Sequence, residues 1–198
     1  MLSPNGKHLF VQDLGKDKII IYSLHNKSGK LEAEDSVKLK DGAGPRHLIF
    51  HPSGKWAYLI QEMSGDVTVF DYHKGHLQEI QTISSLPKNF NQFFTSADIH
   101  ISNDGNFLYT SARDSSNTIA VFKIDQLTGK INLLAQQSTL GKTPRNFNLD
   151  PSGKFLLVAN QNSDDIVIFK VDSKTGLLSD TGKRISVGNP VCIKWIQR

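Results

Sequence analysis

GAGPRHLIFHPSGKWAYLIQEMSG, residues 42–65, reads as one β-hairpin: an apolar strand, a PSGK turn and a second apolar strand. The hairpin is ordinary except for three ionisable side chains, Arg46 and His47 where it begins and Glu62 where it ends. Folding alone does not require them there. Their meaning depends on whether the same hairpin occurs elsewhere in the chain.

It does. The turn recurs as SPNGKHLFV from Ser3, HPSGKWAYL from His51, SNDGNFLYT from Ser102 and DPSGKFLLV from Asp150, with glycines at 6, 54, 105 and 153 and intervals of 48, 51 and 48 residues. After each turn come an apolar strand, a polar gap and a second strand: KIIIYSL, DVTVFDY, TIAVFKI and DIVIFKV. A further glycine turn follows in NKSGKL, QLTGKI and SKTGLL, shortened to HKGHL in the second repeat. β-Branched and aromatic residues fill the strands, Gly, Pro, Asn, Asp and Ser punctuate them, and no stretch has helical periodicity. The chain is therefore all-β.

A period near 50 residues holding four short strands is that of a β-propeller blade. Strand A runs into the PSGK turn, strand B leaves it, strand C is of the VTVF type and strand D is a polar outer strand such as LQEIQTI. The reading is one domain, residues 1–198, of about four four-stranded blades. MLSPNGK holds only the tail of a strand A, and GNPVCIKWIQR, residues 188–198, matches only a strand A. The C-terminal strand is thus expected to complete the N-terminal blade and remove two exposed edges.

Bulk properties narrow the function. A chain of 198 residues, 38% hydrophobic, has enough material for a substantial core. With no run of 18 apolar residues and no signal-peptide pattern at MLSPNGKHLF, the expectation is a cytoplasmic protein with no membrane partner. The net charge of +4 suits an anionic ligand, but the lysines are scattered through turns, so no nucleic-acid partner is expected. The single cysteine, Cys192, lies in the apolar stretch VCIKWI and reads as a buried structural thiol. Serine-hydrolase elbow, Walker loop, dinucleotide fingerprint, zinc-protease motif and cysteine cluster are all missing from the sequence, and no metal ligands are assigned.

Aligning the repeats on the turn glycine compares one position across blades. Eight residues after it stand Leu14, Glu62, Arg113 and Gln161; eight before it stand Arg46, Ala97 and Arg145, followed by His47, Asp98 and Asn146. The start of A and the end of B lie at the same end of an antiparallel hairpin, so both sets face one rim. Strand A is innermost in a propeller, which places that rim at the mouth of the central channel. His100, two residues after Asp98, lies on the same side of its strand and is a further channel candidate. Three arginines, two carboxylates and histidine from several blades are the groups of a small-anion site with an acid or base beside it. His51 reads as a cap of its own turn, and His25, His73 and His76 as surface residues. Phe93 and Phe94, in the insert SLPKNFNQFFTS, read as packing on the neighbouring blade.

The stretches GAGPRHLIFHPSGKWAYLIQE, SADIHISNDGNFLYTSARDSSNTIAVFKID, GKTPRNFNLDPSGKFLLVANQNSDDIVIFKVDSKTGLL and VGNPV are similar to the lactonase family of seven-bladed propellers. The resemblance covers essentially the whole chain. It implies hydrolysis of 6-phosphoglucono-1,5-lactone to 6-phosphogluconate in the pentose phosphate pathway, with no metal or organic cofactor, and a phosphorylated sugar lactone as the small-molecule partner. Fungal carboxymuconate cyclases resemble the same family, and their proposed catalytic His, Glu and arginines correspond to His47, Glu62, Arg113 and Arg145. The implied catalytic set is His47, Glu62 and Arg113, with Glu62 or His47 as general base and Arg113 on the oxyanion; Arg46, Asp98, His100, Arg145, Asn146 and Gln161 are the implied substrate-binding set. The sequence departs from the family in having Gln61-Glu62 for the usual Asn-Glu, and in length. It resembles the C-terminal four-sevenths of a family member, so open blade faces and self-association through them are expected. Another acidic lactone as substrate, an inactive fragment and a non-enzymatic scaffold are the alternatives.

Overall fold

The computed structural model describes residues 1–25 and 27–196. Its strands form four antiparallel sheets, each following chain order from inner to outer strand. The first sheet holds β1 (His8–Asp13), β2 (Lys18–His25) and β3 (Lys30–Lys38). The second holds β4 (Pro45–Phe50), β5 (Trp56–Gln61), β6 (Asp66–His73) and β7 (His76–Ser84). The third holds β8 (Ser96–Ile101), β9 (Phe107–Ala112), β10 (Thr118–Ile124) and β11 (Ile131–Ser138); the fourth holds β12 (Pro144–Leu149), β13 (Phe155–Asn160), β14 (Asp165–Val171) and β15 (Leu178–Ser186). At the inner edge of the first sheet a single bridge, Leu2 with Leu9, marks the tail of a strand A.

Each recurrent turn needs its glycine. Gly6, Gly54, Gly105 and Gly153 have φ of 67°, 70°, 74° and 69°, where side chains with a Cβ are strained. His51 caps its turn as expected: the Ser53 N–H donates to His51 Nδ1 at 3.1 Å. Its other nitrogen lies 3.0 Å from the carbonyl of Gly105, so Nε2 carries the proton and ties the second blade's turn to the third's.

Blades are stacked through their faces. All six residues of β5, and all six of β9, are buried, because each of these strands has a sheet packed on both sides. Alternation divides the work: Trp56, Tyr58 and Ile60 pack against Ile99, Leu108 and Phe122 of the third sheet, whereas Ala57 and Leu59 meet Phe10, Ile19 and Ile21 of the first. Phe107, Tyr109 and Val121 repeat the pattern against Phe147, Val158 and Phe169 of the fourth. Each such side chain contributes about 1.5–3 kcal/mol on burial. Polar ties recur at the same spacing, with the hydroxyls of Tyr58 and Tyr109 donating to the carbonyls of Gly129 and Gly176. The outer strands β3, β7, β11 and β15 are mostly exposed.

Two features differ from the sequence reading. Cys192 is exposed, not buried, because the segment around it touches the protein through one side, where Pro190 and Ile193 are buried. Phe94 packs over Gly65 and Leu86 beside Phe90, but Phe93 is 72% exposed and packs on nothing comparable. In the C-terminal segment Asn189 N–H donates to Asp164 Oδ1 at 2.8 Å, and on β12 Ile193 N–H donates to Asn146 Oδ1 at 2.6 Å and Trp195 Nε1 to the carbonyl of Leu149 at 2.6 Å. Residues 197 and 198 of that segment lie outside the described ones. Among the described residues no helix is long and apolar enough to cross a membrane.

Candidate active site

The inner strands of the second, third and fourth sheets each enter the sheet through an irregularity. β4 skips register between Pro45 and His47, β12 between Pro144 and Asn146, and β8 between Ser96 and Ile99. A strand without these bulges sends neighbouring side chains to opposite faces; the extra residue re-aims one of them. Arg46 with His47, and Arg145 with Asn146, consequently line the same cavity. The bulge is prepared by a left-handed residue before the proline, Gly44 at φ 64° and Thr143 at φ 57°. Gly44 is held further by Asp17 of the first blade, whose carboxylate accepts the N–H groups of Gly44 (2.7 Å) and Gly42 (2.9 Å).

The cavity, about 420 Å³, is large enough for a phosphorylated sugar. Arg46, His47, Asp98, His100, Arg145 and Asn146 line it, joined by Lys194 and Cys192 of the C-terminal segment. Asp98 is its hub. His47 Nδ1 lies 3.1 Å from Asp98 Oδ1 and His100 Nε2 lies 3.1 Å from Oδ2, where Asn146 Nδ2 also donates. The backbone N–H of Ile99 adds a bond of 3.0 Å to Oδ1. Burial would raise the carboxyl of Asp98, but hydrogen bonds and charge from His100 and His47 outweigh it and hold the group well below the usual carboxylate range. Ionised Asp98 keeps the proton of His47 on Nδ1, leaving Nε2 as the basic nitrogen. The ring of His100 is fixed from the other side by an edge contact with Phe147, centroids 4.9 Å apart.

Glu62 and Arg113 take a different place. Glu62 Oε2 accepts from Arg46 Nη1 at 2.7 Å and Oε1 accepts from Arg113 Nη2 at 2.5 Å. Arg113 also donates to the carbonyl of Ser96, and Arg46 Nε to that of Ala97. The triad therefore links the second blade to the third behind Arg46, and neither Glu62 nor Arg113 lines the cavity. Burial would raise Glu62, but hydrogen bonds and charge from Arg46, followed by the charge of Arg113, lower it. Gln161 does not reach the cavity, since a 3₁₀ turn, Gln161–Ser163, carries it off the end of β13; Leu14 is displaced by the equivalent turn Leu14–Lys16. The sequence reading missed Lys194. Its signal was Asn189-Pro190, aligned with Gly44-Pro45 and Thr143-Pro144, which brings Cys192 to the register of His47.

Both lowered carboxyls give a signed pH dependence. Their contribution to stability is fully present above about pH 5 and is lost as pH falls through their lowered values. Urea unfolding from about pH 6 to about pH 3 is expected to show a falling free energy; a flat or rising one would contradict these pairings.

The cavity thus lies at one end of the inner strands of stacked blades, lined by Arg46, Arg145 and the His47 held by Asp98. The family model "Lactonase, 7-bladed beta-propeller" matches residues 1–195, and the chain belongs to that family. It is 42% identical over 184 residues to a 6-phosphogluconolactonase of Formosa agariphila, covering 91% of this chain and 52% of the relative. The 6-phosphogluconolactonase of Bacillus subtilis is 36% identical over 198 residues, covering 99% and 56%. A solved structure, the periplasmic gluconolactonase of Pseudomonas aeruginosa, superposes with a TM-score of 0.95 at 36% identity, over 100% of this chain and 56% of that one. The chain thus spans about half the length of the curated relatives it matches.

Proposed function

We propose that the chain carries the catalytic wall of a cytoplasmic lactonase, a single propeller domain that hydrolyses 6-phospho-D-glucono-1,5-lactone to 6-phosphogluconate. The observation that carries the reading is the His47–Asp98 pair facing a cavity that also holds Arg46 and Arg145. His47 Nε2 takes the proton of a water that attacks the lactone carbonyl, and returns it to the ring oxygen as the C–O bond breaks. Arg46, held in place by Glu62 and the carbonyl of Ala97, stabilises the oxyanion. His47 is favoured over Glu62 as base because both carboxylate oxygens of Glu62 are engaged by arginines. Arg113 then acts through Glu62 as a positioning residue, not on the oxyanion. His100 and Asn146 hold Asp98 and border the substrate. Exposed Val11 and Leu31 on the first sheet, with Phe155 and Ile185 on the last, support self-association through those faces.

The test is hydrolysis of freshly generated 6-phosphogluconolactone by the 198-residue chain, coupled to 6-phosphogluconate dehydrogenase with spontaneous opening subtracted. Turnover above background is expected; a folded sample inactive on this and on glucono-1,5-lactone would overturn the reading. Action on the unphosphorylated lactone is a second reading, favoured by the printed name of the Pseudomonas neighbour.

A further inference from the structure

The C-terminal segment repeats the inner-strand entry. Asn189 takes φ 46° before Pro190, as Gly44 and Thr143 do before their prolines. Ile193 is then pinned on β12 from two sides, its N–H donating to Asn146 Oδ1 (2.6 Å) and its carbonyl accepting from Asn148 Nδ2 (3.1 Å). The Trp195 indole bond to Leu149 fixes the next residue but one. Lys194, between these anchors, is held at the cavity wall with Arg145.

The charges there do not balance. Glu62 is shared by Arg46 and Arg113, and Asp98 is taken up by His47, His100 and Asn146. Neither Arg145 nor Lys194 has an acidic partner among the described residues. Arg46, Arg113, Arg145 and Lys194 thus face two carboxylates, Glu62 and Asp98, and with neutral histidines the surplus is two positive charges. The uncompensated pair lies on the fourth-blade side of the cavity, away from the Arg46–Glu62 bond. A neutral sugar leaves that surplus desolvated and unmatched, whereas a phosphate monoester carries about −1.5 to −2 at pH 7. An arginine fork beside a mobile ammonium is a pairing suited to its oxygens.

We infer that Arg145 and Lys194 form the subsite for the phosphate monoester of the substrate, and that Lys194 sets the preference for phosphorylated over unphosphorylated lactone. The inference rests on the lactonase reading above. Lys194 is exposed, so Lys194→Ala leaves the core untouched. The variant is expected to lower the ratio of kcat/KM on 6-phosphogluconolactone to that on glucono-1,5-lactone by about ten- to hundredfold, the worth of a hydrogen bond to a charged group. Lys194→Arg is expected to restore most of the ratio, and Lys123→Ala, on the outer part of the third blade, to leave it unchanged. A parallel fall on both lactones, or an unchanged ratio, would overturn the assignment. Calorimetry with 6-phosphogluconate and with gluconate separates the two failures. Loss of the phosphorylated acid's advantage in Lys194→Ala supports the subsite even if turnover is nil; an equal affinity for both acids in the parent chain overturns the subsite even if turnover is present.

Discussion

Asp98→Asn is expected to remove nearly all turnover from a chain that still folds. The carboxylate receives His47, His100, Asn146 and the backbone N–H of Ile99, and an amide of the same shape can accept on only one of its two heads. The NH₂ group meets donors on one side. If it turns toward His47, Nδ1 must become the acceptor, the proton moves to Nε2, and the nitrogen that should take a proton from water already holds one. A wrong tautomer at a histidine base is expected to cost about a thousandfold or more in kcat. If the NH₂ turns toward His100, the strain falls on Asn146 and the Phe147 ring contact instead, and His47 keeps a neutral amide oxygen in place of the carboxylate. The cost in stability is smaller, about 1–3 kcal/mol for the donors left without partners. The coupled assay gives kcat, and urea unfolding gives the stability. A kcat within about tenfold of the parent would take His47 out of the base role and return attention to Glu62.

Glu62→Gln is expected to show the opposite balance, with a large loss of stability. Glu62 is 14% exposed at its side chain and Arg113 is 9% exposed, so the charge left behind is poorly solvated. Removing one partner of such a buried ion pair costs about 3 kcal/mol or more. For a chain of this size that corresponds to a fall in Tm of about 6–12 °C. The double variant Glu62→Gln with Arg113→Met is expected to recover part of the loss, because it removes the stranded charge too. Arg46 keeps its bond to the carbonyl of Ala97 but loses the carboxylate that holds it for the oxyanion, so kcat is expected to fall along with Tm. Thermal unfolding of the two variants decides the matter; a Tm for Glu62→Gln within about 2 °C of the parent would mean that the triad is solvated and contributes little.

The blades were legible because their punctuation is stereochemical. Gly6, Gly54, Gly105 and Gly153 all adopt the positive φ that the recurrent turn demands, and the alternating β5 and β9 announce two packed faces. Register on the turn glycine also brought His47, Asp98 and Asn146 to one ring. What a linear alignment could not distinguish was a charge that faces the channel from one that faces another charge. Glu62 and Arg113 stand at the same aligned position in adjacent blades, and each is turned toward a partner in a neighbouring strand or blade. Nor do strand ends predict where the chain goes next. A 3₁₀ turn followed by the left-handed residue Asp164 moves Gln161 away, a deflection that depends on backbone geometry beyond residue type. The apolar neighbours of Cys192 pointed to burial, but the segment is anchored along one side, where Pro190 and Ile193 are buried, which leaves Cys192 and Lys194 on the cavity.

Asp98 bonds to His47, 51 residues earlier, and to Asn146, 48 residues later, so each of these ties spans about one repeat of the sequence. Within a sheet every strand pairs with its neighbour in sequence, and such pairings close short loops. The Asp98 ties close loops of a whole blade, and ordering the chain between their ends carries the larger entropy cost. The cavity is therefore expected to form after the hairpins, since it depends on three blades standing in sequence. Loosening any one of the three dissolves the histidine's orientation before it melts the other sheets. Loss of the proposed activity on heating or in mild denaturant is thus expected to precede loss of β-structure, which would make the His47–Asp98 pair an internal gauge of blade docking.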